Sequence, residues 1–404
     1  MKPESDRVRE LEAGLDAAIR ARLEQAVAAI VRAKEAGERV VVVVGSGPNI
    51  HEGVTTLIAS LIQAGIVDGV ITSSAVISHE MAGALDRVHR VAATELRGPR
   101  AAVPHDGVLE ASLISPELLS EVCRELPFDQ EYYNELLAAP GSDIIKAAGN
   151  MAYPMGWCTE RLAREAQALA AAAGLPLEMV VGYGADPMTM IGAGARCGVP
   201  VLVGVPQLVG GGAVGLAIGD SLPISERSAR VARLVGRARV IVESAVALTQ
   251  EIHDGPFETY TGHGIWADWE GQWTYSLADK QIVRFDLDPN LERAWQQERQ
   301  DSTVSRAIAE GLPKTKLLGL AFRMEMSGFA RLPGSLPVVA DIGVVWPVLA
   351  WRVATALDID LDFLSFPQSA PEGRAMRDWI VENVRPVSRQ QMRVGVRRWM
   401  EERA

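Results

Sequence analysis

Apolar residues return along this chain in two periods. Between residues 5 and 37, Leu11, Leu15, Ile19, Leu23, Val27 and Ile30 recur every three or four positions, which predicts one amphipathic helix closed by Gly37. Val40 to Val44 form an unbroken apolar run that ends in the turn Gly45-Ser46-Gly47-Pro48-Asn49-Ile50-His51-Glu52-Gly53. A helical pattern over 54–64, a strand over 67–72, the turn Ser73-Ser74-Ala75 and a helix over about 78–85 come next. Short runs rich in β-branched residues predict strands at 179–181, 201–205, 240–242, 282–285 and 337–339. Helical patterns at 159–173, 187–197, 225–236, 290–300 and 344–357 separate most of them. Strands that are apolar without alternation belong to a parallel sheet buried on both faces. The fold class is therefore α/β: a Rossmann-like parallel sheet flanked by helices.

Three segments follow from this pattern: an N-terminal helix over 1–37, an α/β domain over 38–360 and a C-terminal helical tail over 361–404. Within the domain, about 95–157 breaks the alternation. It carries helical pieces near 116–126 and 129–137 between Pro and Gly, and reads as a helical insertion or subunit-contact region. The tail carries Arg385, Arg389, Arg393, Arg397, Arg398 and Arg403, which suits a solvated or inter-subunit helix better than an RNA-binding tail.

Composition narrows the class. The chain has 404 residues, 48% hydrophobic and 23% charged, enough to bury a core without covalent staples. A net charge of -11 argues against nucleic acid or an anionic membrane as partner. Its three Cys form no Cys-x-x-Cys pair, so neither a disulfide framework nor a thiolate zinc site is expected, and a reducing cytoplasm fits. The N-terminus has no apolar signal core and no run of about 18 apolar residues occurs, so no membrane span is expected.

In an open parallel sheet, ligands bind at the carboxyl ends of the strands, so the loops after strands are where chemistry is sought. The turn 45–53 lets backbone N–H groups approach a phosphate, with His51 and Glu52 facing the crevice. It is neither a Gly-x-Gly-x-x-Gly fingerprint nor a P-loop, and a plain tight turn is the other reading. The hydroxyls of 72–78 suit a ribose or pyrophosphate, although Ser78 also suits a helix cap. The triple glycine at 210–212 suggests close backbone approach to a ligand or a lid. Asp220 nearby can meet a substrate amine or cap a helix. Glu243, Glu251, His253, Glu258 and His263 crowd beside Trp266, Trp269 and Trp273. Carboxylates there can hold an ammonium group, and His can move protons near pH 7. The two His, ten residues apart, lack a metal-ligand pattern, so no metal is expected. Asp286 and Asp341 each end a strand, fit for a ribose or for a cap, and Lys146 sits in a Gly- and Pro-rich turn.

Val67-Asp68-Gly69-Val70-Ile71-Thr72-Ser73-Ser74 with Glu80, and Val339-Ala340-Asp341 leading into a helix, resemble the NAD-binding region of deoxyhypusine synthase. Gly47-Pro48 with His51, His79-Glu80 and Asp286-Leu287-Asp288-Pro289 resemble turns in the NAD-binding part of saccharopine-dehydrogenase-like ornithine cyclodeaminases. The resemblance runs in separated turns from about 38 to 360. The active-site Lys of deoxyhypusine synthase has no match, Lys146 and Lys280 being out of context.

The resemblance implies a deoxyhypusine synthase-like fold and NAD held as a redox catalyst. It further implies an amine or amino-acid substrate taken to an imine, then cyclised, hydrolysed or transferred. An NAD-dependent dehydrogenase that releases NADH, or a non-catalytic nucleotide-binding oligomer, are the alternatives. On this reading Gly45, Ser46, Gly47, Asn49, Ser73, Ser74, Glu80, Asp286 and Asp341 contact NAD. His79, His253 and Glu243 are catalytic, and Asp220, Glu251 and Glu258 bind the substrate amine. A homotetramer is implied by resemblance alone.

Overall fold

β1 (Arg39–Val44) is RVVVVV, with every residue after the first buried, and it occupies the middle of a six-stranded sheet. The computed structural model describes residues 5–45, 47–96, 107–149, 154–204, 210–244, 277, 279–286, 289–303, 306, 310 and 335–403. Beside β1 on one side stand β2 (Gly69–Thr72) and β6 (Val201–Val203). On the other stand β7 (Ala238–Ser244), β8 (Gln281–Asp286) and β9 (Ser335–Val339). All neighbouring pairs are parallel. In chain order within this sheet the arrangement is 3-2-1-4-5-6, the Rossmann order, with its switch point between β1 and β7.

Each sheet face has its own apolar layer. Val40, Val42 and Val44 pack with α2 (Ala17–Glu35), α4 (Val54–Gln63) and the helix Ile342–Ala356. Val41, Val43, Ile71 and Ile241 pack with α12 (Ile224–Gly236) on the opposite face. Phe363, Leu364, Met376, Ile380, Met392 and Val396, from the last 44 residues, join the first of these cores. Among the described residues, no helix is long and apolar enough to cross a membrane.

Three elements differ from the pattern read along the sequence. The helix expected over 5–37 is two, α1 (Ser5–Ala13) and α2, because Gly14 and Asp16 are poor helix-interior residues and Leu15 turns onto the core. The helix expected from Ser78 is α5 (Ser74–Met81), capped by Ser73, whose hydroxyl accepts from Val76 N at 3.3 Å. It stops at Gly83 and Ala84, both left-handed, and Leu85 already belongs to β3 (Leu85–Ala92).

The strand expected at 179–181 is the helix α9 (Leu177–Gly182). A three-residue apolar run such as Met179-Val180-Val181 does not distinguish a buried strand from a buried helix. Here Glu178 decides. It is buried against the Arg227 guanidinium and also accepts from Val203 N at 3.0 Å. Arg227 in turn donates to Ile218 O at 2.9 Å and Ser221 Oγ at 3.2 Å, tying α9, β6, α11 (Ala213–Ser221) and α12 together.

The region after α5 contains an antiparallel sheet ordered β4-β3-β5, which the sequence pattern did not suggest. β4 is Val108–Ser112 and β5 is Gly141–Ala147. These strands are charge-laced: Asp86, Arg87, His89, Arg90, Glu110, Asp143 and Lys146 break any apolar run. The two expected helices are present as α6 (Pro116–Glu125) and α7 (Gln130–Ala138).

The Arg227–Glu178 pair generates a stability prediction. Arg227→Ala leaves a buried carboxylate without its counter-charge and is expected to lower unfolding free energy by about 3–5 kcal/mol. Replacing both partners together, as Arg227→Met with Glu178→Leu, is expected to cost much less. Urea denaturation of the three proteins measures the difference.

Candidate functional site

The crevice lies where β1 and β7 end. Asn49 spans it from below. It is on α3 (Pro48–His51), fully buried, and its amide donates to Gly45 O at 3.2 Å and Ser244 O at 3.0 Å. Ser244 Oγ donates to Asn49 Oδ1 at 2.5 Å and accepts from Trp346 Nε1 at 2.6 Å. Thr72 Oγ1 donates to Val44 O at 2.9 Å, tying the end of β2 to β1. The strand ends are thus held by side chains in the last ladder pairs, Thr72 and Ser244, and just past them, Asn49.

Gly47 begins α3 with φ +69°, and a Cβ there would project into open space. The backbone there is in a left-handed conformation that favours glycine. Gly45 ends β1. Ser73 is the cap of α5, at the mouth of β2. Ser74 is fully buried and its hydroxyl accepts from Gly211 N at 3.1 Å. A Cβ on Gly211 would stand 2.7 Å from the Ser74 carbonyl oxygen, so the triple glycine makes its close approach to the protein's own helix α5. Asp341 caps the helix Ile342–Ala356, accepting from Gly343 N at 2.8 Å. Asp286 ends β8 in register with Val339.

The acidic residues separate by location. Glu80 is fully buried and accepts from Met190 N at 2.8 Å and Ile191 N at 3.1 Å, at the start of α10 (Met190–Cys197). Burial pushes its carboxyl up to about 7. Glu243 is buried opposite Arg284 on β8, with 3.7 Å between the charged groups. Asp220 is exposed near the far end of α11, about 10 Å along the helix axis from its start beside Ser74. It accepts from Gln167 at 3.4 Å. Glu52, which the sequence reading noted without giving it a role, is buried, which raises its pKa, and both its oxygens accept from Gln368 at 2.7 Å. Ser46, Glu251, His253 and Glu258 lie outside the described residues.

Basic groups gather on the other wall. His79 Nδ1 contacts the Ala148 carbonyl oxygen, just past β5. Since a carbonyl only accepts, Nδ1 carries the proton and Nε2 the lone pair. Burial lowers the pKa of His79, and burial together with the nearby charges of Arg377, His79 and Lys146 lowers that of His51. Both rings are therefore neutral at pH 7. Lys146 on β5 pairs with Glu110. Arg377, on the helix Pro371–Asn383, donates to Ile145 O. Sequence reading missed Arg377 because nothing around it in the chain marks a site; it enters from a helix packed over β3 and β5. Among the described residues, no group of three or more His, Cys, Asp or Glu is placed to hold a metal ion.

No family model matches the chain, and no curated protein matches it. Solved structures with some likeness include ArgZ, an arginine dihydrolase from the ornithine–ammonia cycle of cyanobacteria. It is 13% identical, covering 82% of this chain and 31% of that one, with a TM-score of 0.37. A conserved LOR/SDH protein from Methanococcus maripaludis S2 is 12% identical over 89% of this chain and 74% of its own, TM-score 0.38. AgrE, solved as a ternary complex with ornithine and NAD+, is 12% identical over 89% of this chain and 35% of its own, TM-score 0.37. The chain thus spans about a third of ArgZ and AgrE. Likeness at this level assigns no family.

Glu80 gives this site a pH signature. Its folded pKa, about 7, lies above the ordinary 4.5, so the folded state retains a proton that the unfolded state releases. The stabilisation is present in full below pH 4.5 and is lost as pH rises toward 7. Thermal unfolding between these pH values is expected to show a shallower decline in Glu80→Gln than in the parent protein.

Proposed function

We propose that the chain is an NAD-dependent enzyme acting on an amine or amino acid. It withdraws hydride from the carbon bearing the amine, and the resulting imine is cyclised, hydrolysed or passed to another amine. The observation that supports this most is the Rossmann strand order, with a glycine turn after β1 and with His51 and His79 on the helices that follow β1 and β2.

The residues present fit a dinucleotide. The open space over Gly47 leaves room for a pyrophosphate at the β1 turn. Beyond β2, the residue at the mouth is Ser73, a hydroxyl rather than the acid of many Rossmann sites, so ribose contacts there would be to hydroxyl and backbone groups. A nicotinamide cofactor, when bound, supplies the hydride acceptor. The chain supplies the rest. Asn49 and Thr72 hold the strand ends that form the floor. His79 Nε2 is the base that takes the proton from the substrate ammonium, leaving the amine lone pair to drive formation of the imine. Its orientation is set by Ala148. Asp286 and Asp341 stand at the ends of β8 and β9, and they complete the cofactor side in this proposal.

Denaturing freshly purified protein and weighing the released small molecules tests the cofactor. NAD near one per chain is the expected result, and failure to bind NAD even on titration overturns the reading. His79→Ala is expected to keep NAD and to lose about 100- to 10,000-fold in turnover of the amine substrate. Unchanged turnover removes His79 from the mechanism. Net accumulation of NADH would mark a dehydrogenase instead.

A further inference from the structure

Arg377 is a half-buried guanidinium whose needs the protein leaves open. Its Nε is buried without a hydrogen-bond partner. Among the described residues it forms no ion pair, and its hydrogen bond goes to the Ile145 carbonyl. Glu52 and Asp378 are near enough to act on its charge without pairing with it. Asp378 is engaged by Arg87 at 2.6 Å, and Glu52 by Gln368. A planar fork of donors taken partly out of water costs free energy unless an acceptor meets it.

The position of Arg377 is defined by its neighbours. Met376, the preceding residue, packs over Gly53 at the end of the β1 turn. Ile145, which receives the Arg377 bond, precedes Lys146, and Ala148 two residues later receives His79. One short stretch at the end of β5 therefore gathers Arg377, Lys146 and His79, and α3, which ends in His51, lies within the influence of all three. The carboxylates on this wall are Glu110 on Lys146 and Arg90, and Asp86 opposite Lys146 in the β3–β5 register. Glu110 is thus taken by the β-sheet cations, while the guanidinium, with Glu52 and Asp378 nearby, forms no ion pair of its own among the described residues.

We propose that Arg377, flanked by His51 and Lys146, is an anion subsite that receives the carboxylate of an α-amino-acid substrate. This rests on the amine-oxidising reading above and selects amino acids over plain polyamines. A carboxylate accepts N–H bonds from the half-buried head of the guanidinium and supplies its counter-charge. It also fixes the amine-bearing carbon at one bond from the anchored group, which places that carbon rather than a distal one before His79. The phosphates of the dinucleotide are the other anions within the crevice, and the experiment separates them.

The test titrates NAD-loaded protein by calorimetry with three matched pairs: L-ornithine and putrescine, L-lysine and cadaverine, L-arginine and agmatine. Within each pair only the carboxylate differs. In at least one pair the amino acid is expected to bind about 10- to 100-fold more tightly than its amine. Arg377→Gln is expected to abolish that preference while leaving NAD and amine affinities unchanged. Arg377→Lys, which keeps the charge without the fork, is expected to recover part of it. Equal affinities within every pair, or no amino acid bound, overturn the subsite. So does an Arg377→Gln protein that loses NAD affinity and keeps the amino-acid preference, because the anion is then a phosphate. If the parent protein takes up no NAD, the cofactor reading falls. The same pairs, titrated without cofactor, then decide the subsite by the same criteria.

Discussion

The hydrogen-bonded chain Trp346–Ser244–Asn49–Gly45 sits at the one place where a Rossmann sheet is open. From β1 the chain leads to β2 on one side of the switch point, and from β7 it leads to β8 on the other. The backbone groups there stand at the end of the ladder and are buried or half-buried, which is costly unless side chains meet them. Asn49 meets both Gly45 O and Ser244 O, and Ser244 relays the contact to Trp346 on the helix Ile342–Ala356. The strand ends at the switch point are thus tied to one another and to the helix Ile342–Ala356 by the protein's own side chains.

The rest of the site is arranged around those strand ends. Ser74 and Gly211 close the β2 side by backbone approach, and Glu80 fixes the start of α10 behind them. The opposite wall is borrowed. The antiparallel sheet after α5 and the helix Pro371–Asn383 are far apart in sequence, yet Arg377 and Ile145, 232 residues apart, meet beside His51. A fold of this type supplies the phosphate-facing turn by itself, while the chemistry of the substrate is set by whatever is folded over it.

Several residues that the sequence offers as ligand contacts also have partners within the fold. Asn49, Ser74 and Glu80 are fully buried, Ser73 and Asp341 cap helices, and Glu243 faces Arg284. A small polar residue after a strand suits a cap, a strand-end tie or a ligand equally well, because all three need an acceptor or donor at the same distance from the backbone. The tautomer of His79 follows from Ala148, a contact between α5 and the residue just past β5 that sequence position does not show.

Periodicity alone carried the parallel sheet and most of its helices, since a strand buried on both faces has to be apolar throughout, as β1 is. It also carried the glycine turn after β1, because a left-handed residue such as Gly47 is written into the chain as glycine. It did not carry the helical state of α9, where the Glu178–Arg227 pair overrides a short apolar run, nor the small sheet, whose strands are too charged to stand out. The identity of the basic wall was decided by tertiary structure alone. A guanidinium becomes available to an anion by what does not pair with it, and that is a property of the neighbours brought around Arg377 by folding, not of the residues beside it in the chain.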